Sequence, residues 1–103
     1  MISRKNILYI VLLFLQLIYA QNKVRGIIQN EKTQEPIIGV NILLLGSETG
    51  TVTDISGSFE LIAPDNKNPT IRLSHIGYNT REAIIDSSFN GILFLTPAII
   101  KGQ

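Results

Sequence analysis

The 103 residues contain no cysteine, so no disulfide can close a loop, no thiolate can join a zinc site and no N-terminal cysteine can carry a lipid. A single histidine, His75, excludes any site built on two imidazoles, and one histidine among scattered carboxylates does not make a zinc centre. Beyond residue 20 there is no Lys/Arg cluster, basic stripe or RNA-binding aromatic signature, so the electrostatic footprint for a phosphate backbone is missing and nucleic acid is excluded as an expected partner. An N-x-[ST] sequon is also absent, since Asn68-Pro69-Thr70 carries the forbidden proline.

What is present begins with a segment unlike the rest. Arg4 and Lys5 precede an apolar run, Ile7 to Ile18, broken only by Gln16 and short of the roughly 20 residues that a bilayer span needs. This is the pattern of an export signal over residues 1–20, with cleavage expected between Ala20 and Gln21. Ile18 is bulkier than the small residue favoured there, which leaves an uncleaved anchor as the other reading. Removing Arg4 and Lys5 from nine basic residues leaves seven against eight acidic ones, a net charge of −1 with His75 neutral. Residues 21–103 then form one domain that must fold by burial alone, which domains of roughly 55 to 65 residues often manage.

Along residues 21–103, apolar side chains alternate in short runs separated by turn formers, the pattern of an all-β sandwich with seven strands. Val24, Gly26 and Ile28 share one face of the first. A polar loop, Asn30 to Pro36, precedes a second in which Val40, Ile42 and Leu44 point inward. Leu43 and Leu45 fall on its outer face, where an edge strand would invite a partner. Thr51–Thr53 and Ser58–Ile62 read as a β-hairpin about Asp54-Ile55-Ser56-Gly57. After the loop Pro64–Pro69, Ile71 and Leu73 point inward in the next run. Ile76-Gly77-Tyr78 interrupts the alternation, Asn79–Ile85 resumes it, and Ile92–Leu95 closes the series before Pro97.

The stretch Gly50–Leu61 (GTVTDISGSFEL) offers hydroxyls, a carboxylate ahead of an aromatic residue and two glycines, and so invites a binding-site interpretation. A calcium loop needs alternating carboxylates or amides and a bidentate Glu at its twelfth position; here Asp54 is the only carboxylate between Glu48 and Glu60. Phosphate would require a lysine and a helix N-terminus after Gly46-Ser47-Glu48-Thr49-Gly50, and neither follows. A turn needs nothing more. Asp54 accepts backbone N–H groups ahead of it, Gly57 supplies a positive φ, and Phe59 drops into the core.

These residues carry a family likeness. Gly26, Pro36, Gly39-Val40-Asn41, Gly46, Gly50-Thr51, Thr53-Asp54, Gly57, Phe59 and Ser74 with Ile76-Gly77-Tyr78 resemble the motif of the carboxypeptidase-regulatory-like domain, over about Val24 to Leu95. Asn30, Gln34 and His75 depart from it, standing where that family usually has Asp, Gly and an aromatic. The resemblance implies a seven-stranded Greek-key sandwich of transthyretin (prealbumin) type, with Tyr78 packed at a strand junction. It also implies the setting in which this domain is common, the N-terminus of SusC/RagA-type TonB-dependent outer-membrane receptors. There it would be a non-catalytic module contacting the plug, the barrel or the TonB machinery during nutrient uptake, in the periplasm or outer membrane of a Gram-negative bacterium. A chain ending near Gln103 would then be the N-terminal domain or a truncated remnant of such a receptor. The alternative is a freestanding envelope sandwich that binds a protein or glycan; an auxiliary domain to a carboxypeptidase-like partner is a third.

The remaining chemical groups point away from catalysis. His75 has no nucleophile elbow to serve, Asp65 and Asp86 sit in polar loops, and Glu31 and Glu35 flank a turn. No catalytic, cofactor-binding or metal residue is therefore expected, and no cofactor. The site residues singled out are structural: Gly39, Gly46, Gly50, Thr53, Asp54, Gly57, Phe59, Gly77 and Tyr78. Weak self-association through an exposed edge is expected besides an envelope protein partner.

Overall fold

The computed structural model describes residues 3–19, 22–63 and 68–99. The expected cleavage point at Ala20 and Gln21, with Asp65, lies outside them. Helix α1 runs Arg4–Tyr19 with its side chains from Ile7 to Leu13 exposed, and no described helix is long and apolar enough to cross a membrane.

Seven strands follow: β1 Asn22–Asn30, β2 Asn41–Leu44, β3 Gly50–Val52, β4 Ser58–Ala63, β5 Thr70–His75, β6 Tyr78–Ile84 and β7 Ile92–Leu95. They form two sheets, ordered β4-β1-β7 and β3-β2-β5-β6, packed as a Greek-key sandwich. Period-two alternation accounts for the core. Ile28, Val40, Ile42, Leu61, Ile71, Leu73 and Leu95 are almost completely removed from water and meet between the sheets. All ladders are antiparallel except β1–β7, which is parallel from Ile27↔Ile92 to Asn30↔Leu95.

Two expectations about pairing are overturned. Thr51–Thr53 and Ser58–Ile62 do not form a hairpin, because β3 pairs with β2 while β4 pairs with β1 in the opposite sheet. Asp54 N–H does reach the Ser58 carbonyl at 3.0 Å, but the ladder stops there and the chain crosses between layers. The physical reason is that β4 buries Phe59, Leu61 and Ala63 beside β1, whereas the short β3 has no buried side chain and is held by its ladder to β2, so nothing local ties the two strands together. Nor is β2 an edge. It lies between β3 and β5, with Leu43 paired to Gly50 on one side and Arg72 on the other, Leu45 just past its end, and the free edges belong to other strands.

One flank of the sandwich is stitched shut. Asn79 N–H donates to the Thr96 carbonyl at 2.9 Å, Ala98 N–H to Gly77 at 3.1 Å, and the Arg81 guanidinium to Phe94 at 2.7 Å, tying β6 to β7 across the layers. On the other flank no strand ladder joins β3 to β4.

Candidate functional site

The corner between β3 and β4 is organised by one buried hydroxyl. Thr53, 3% exposed, receives Val40 N–H on its Oγ1 at 2.9 Å and donates that hydroxyl to the Ile37 carbonyl at 2.7 Å. Its backbone takes part too: Gly39 N–H donates to its carbonyl, and its N–H donates to Val40. Thr53 thereby fastens the Ile37–Val40 loop to the corner with every polar group satisfied. Asp54 is exposed. Its Oδ1 accepts both Ser56 N–H and Ser58 N–H at 2.9 Å, and its carbonyl accepts Gly57 N–H. Gly57 has φ +73°, and a Cβ there would lie 2.6 Å from the Ile28 carbonyl oxygen, so both conformation and space call for glycine.

At the same end of the sandwich lie the β5–β6 turn and the outgoing chain. His75 Nδ1 accepts Gly77 N–H at 3.0 Å, and its ring meets Tyr78 edge-on at 5.2 Å between centroids. The Tyr78 hydroxyl accepts from Asn30 Nδ2 at 3.2 Å, and Gly39 faces the imidazole. Gly39, Thr53, Asp54, Gly57, Gly77 and Tyr78 are thus brought together around one pole. Gly46 sits in the β2–β3 loop at the other pole with φ +83° and open space around it; Gly50 opens β3 against Leu43, and Phe59 enters the core against Gly26.

Sequence reasoning missed three contributors. Asn30 Oδ1 accepts Lys32 N–H and Thr33 N–H, a local turn that its residue type permits. Gln34 occupies the left-handed region at φ +63°, which the family's usual glycine at this place makes intelligible. The Thr96 hydroxyl donates to Glu31 at 2.6 Å, a contact 65 residues apart with no local signature.

The side-chain hydrogen bonds of this corner go to backbone groups. No group of three His, Cys, Asp or Glu residues that could hold a metal occurs among the described residues. A shallow groove of about 610 Å³ runs beside the free edges of β3 and β4, lined by Arg25, Thr51, Val52, Asp54, Ser58 and Glu60. Glu60 is tied to Arg25 at 2.7 Å and to Lys23 at 3.5 Å, and the Arg25 hydrogen bond holds its carboxyl below the ordinary value. These exposed pairs orient side chains and contribute little to stability.

The loops and turns of this small two-layer sandwich are thus locked by a buried threonine, an Asx turn and positive-φ glycines. The chain belongs to the CarboxypepD_reg-like domain family, whose model matches residues 24–96. It is 40% identical over 73 residues to the TonB-dependent receptor SusC of Bacteroides thetaiotaomicron, which covers 71% of this chain and 7% of that protein. It is 38% identical over 68 residues to TonB-dependent receptor P39 of Formosa agariphila, covering 66% of this chain and 6% of the receptor. TonB-dependent receptor P3 of the same organism is 28% identical over 88 residues, covering 84% and 9%. The chain therefore spans less than a tenth of the length of the receptors that it matches. Among solved structures it is similar to the crystal structure of a C-terminal interface mutant of a type II Cohesin-X-Dockerin complex from Acetivibrio cellulolyticus. That match has a TM-score of 0.53 and 26% identity, and covers 73% of this chain and 51% of the other. The N-terminal interface mutant of the same complex matches with a TM-score of 0.52.

Proposed function

We propose that this domain is a non-catalytic interaction module of a TonB-dependent outer-membrane receptor system that takes up nutrients. It is exported by residues 1–20 and works on the periplasmic side of the outer membrane. The observation that carries this reading is the 40% identity to SusC over 73 residues, beside a family match over residues 24–96 that reaches all seven strands. The site residues, in this reading, shape the module rather than react. Thr53, Asp54 and Gly57 hold the corner, and the free edge of β4 is the backbone available for an extended strand of the receptor polypeptide or of the TonB machinery.

The test is site-specific photocrosslinking in cells that express the full chain, with the photoreactive group at Ile62, which is exposed on β4. An adduct identified by mass spectrometry as receptor or TonB-type protein is expected. Crosslinking only to soluble envelope proteins would favour the freestanding module. Sequencing the N-terminus of the exported protein checks the signal: Gln21 is expected first, whereas Met1 would mark an uncleaved anchor.

A further inference from the structure

Asn90-Gly91, in the connection from β6 to β7, is the one Asn-Gly pair in the chain, and its geometry favours a reaction of the protein on itself. Asn90 is exposed, and its Oδ1 accepts the Ile92 N–H at 3.1 Å, so the side chain is folded back over its own backbone. Gly91 has φ +92° and brings no side chain of its own to hinder its nitrogen, and the space where a Cβ would stand is open. Among the described residues no group accepts a hydrogen bond from Gly91 N–H.

We propose that Asn90 is a self-modification site, at which the folded protein converts an asparagine into aspartate and isoaspartate. The Gly91 nitrogen attacks Asn90 Cγ and forms the N–Cγ bond of a succinimide. The Cγ–Nδ2 bond breaks, and Nδ2 leaves as ammonia with the proton lost by the Gly91 nitrogen. As the attack proceeds, negative charge gathers on Oδ1, where the Ile92 N–H already donates, so a donor is in place before the charge develops. Water then opens the imide. Cleavage at Cγ leaves aspartate, and cleavage at the backbone carbonyl leaves isoaspartate, with an extra methylene in the main chain.

The other asparagines lack this combination. Asn6, Asn22, Asn30, Asn41, Asn66 and Asn79 precede Ile7, Lys23, Glu31, Ile42, Lys67 and Thr80, whose side chains crowd the attacking nitrogen, and Asn68 precedes Pro69, which has no N–H to lose. The consequence is structural as well as chemical. The Gly91 carbonyl accepts Ile27 N–H at 2.8 Å at the head of the parallel β1–β7 pair, so an added methylene displaces that bond while plain aspartate keeps it.

The experiment is incubation of the purified full chain in mildly alkaline buffer, followed by proteolysis and separation of asparagine, aspartate and isoaspartate peptides by mass spectrometry. Conversion at Asn90 is expected to lead every other asparagine by about tenfold, which a barrier lower by about 1.4 kcal/mol provides. Circular dichroism taken alongside should show the fold intact while conversion begins. Asn90→Gln should remove the product at that position without changing the melt, and Gly91→Ala should slow it. Another asparagine converting first would overturn the proposal. So would an Asn90 that stays intact in the folded chain over the time in which it converts in urea.

Discussion

The ring of Phe59 fills the space that a side chain on Gly26 would need: a Cβ on residue 26 would lie 2.8 Å from Phe59 Cε1. The two residues are cross-strand partners on β1 and β4, so the glycine makes room for the largest side chain of that sheet's inner face. The Gly91 carbonyl closes the same space from the β7 side, at 3.0 Å.

Gly26→Ala should therefore destabilise by about 1–3 kcal/mol through overpacking, and Phe59→Leu by a similar amount through lost burial. Combined, they should cost less than their sum, because leucine vacates the space that the alanine methyl enters. Urea denaturation of the four chains measures the coupling; strict additivity would show that the ring and the glycine do not compete for space.

At Thr53 the hydroxyl matters more than the methyl groups around it. Thr53→Val keeps shape and adds apolar surface, yet it strands Val40 N–H and the Ile37 carbonyl in a buried setting, a loss of roughly 2 kcal/mol or more. Thr53→Ser keeps both hydrogen bonds and should cost about 1 kcal/mol for the lost methyl. Thermal melts that ranked valine above serine would contradict this account.

In the β3–β4 corner, Asp54→Ala removes an acceptor shared by two N–H groups and should cost about 1–2 kcal/mol. Gly57→Ala meets both the φ penalty and a backbone oxygen, for roughly 2–4 kcal/mol, while Gly46→Ala, with open space, should lose only about 1 kcal/mol. Calorimetric titration with calcium should give no binding heat in either the parent or Asp54→Ala, and a heat abolished by the substitution would make the corner a metal site.

Gln34 is a non-glycine residue in the left-handed region, in the loop where its N–H donates to the Asn30 carbonyl at 2.7 Å. Gln34→Gly relieves that conformation but frees the unfolded chain, for a net gain of up to about 1 kcal/mol. A lower melting temperature for the glycine variant would mean that the loop does not bear the strain assigned to it.

Acid should weaken the domain in a defined direction. Glu60, bonded to Arg25, and Asp86, bonded to Ser88, both titrate below their ordinary values of 4.5 and 3.8 when folded. The folded state thus binds fewer protons than the unfolded one; the associated stability is present above those ordinary values and is lost as pH falls through the lowered ones. Melting temperature followed down in pH should drop across that window, and Glu60→Gln should flatten the part due to the Arg25 pair. The contribution is small because both carboxylates are exposed.

Much of this architecture is written locally. Period two in Val40-Asn41-Ile42-Leu43-Leu44 and in Ile71-Arg72-Leu73 marks which side chains face inward, because a strand turns alternate residues to opposite sides. The Asp54–Gly57 turn is similarly local, since an aspartate reaches the N–H groups two and four residues ahead without help from the rest of the chain. Gln34 shows the limit. Its positive φ follows from how the Asn30–Pro36 loop closes, Asn30 N–H onto the Glu35 carbonyl and Gln34 N–H onto Asn30, and its residue type does not announce it.

The sequence by itself determined that the domain is all β, how many strands it has, which faces β2, β4 and β5 bury and where the chain turns, because these depend on alternation and on residues within a few positions of one another. Only the tertiary structure decided that β3 and β4 part into different sheets, that β2 is interior, that β7 runs parallel to β1, and that Thr96 reaches Glu31. Strand pairing joins residues far apart in the chain, and the same alternation satisfies several registers and neighbours. The choice falls to the arrangement that brings the buried side chains of both sheets into a single core.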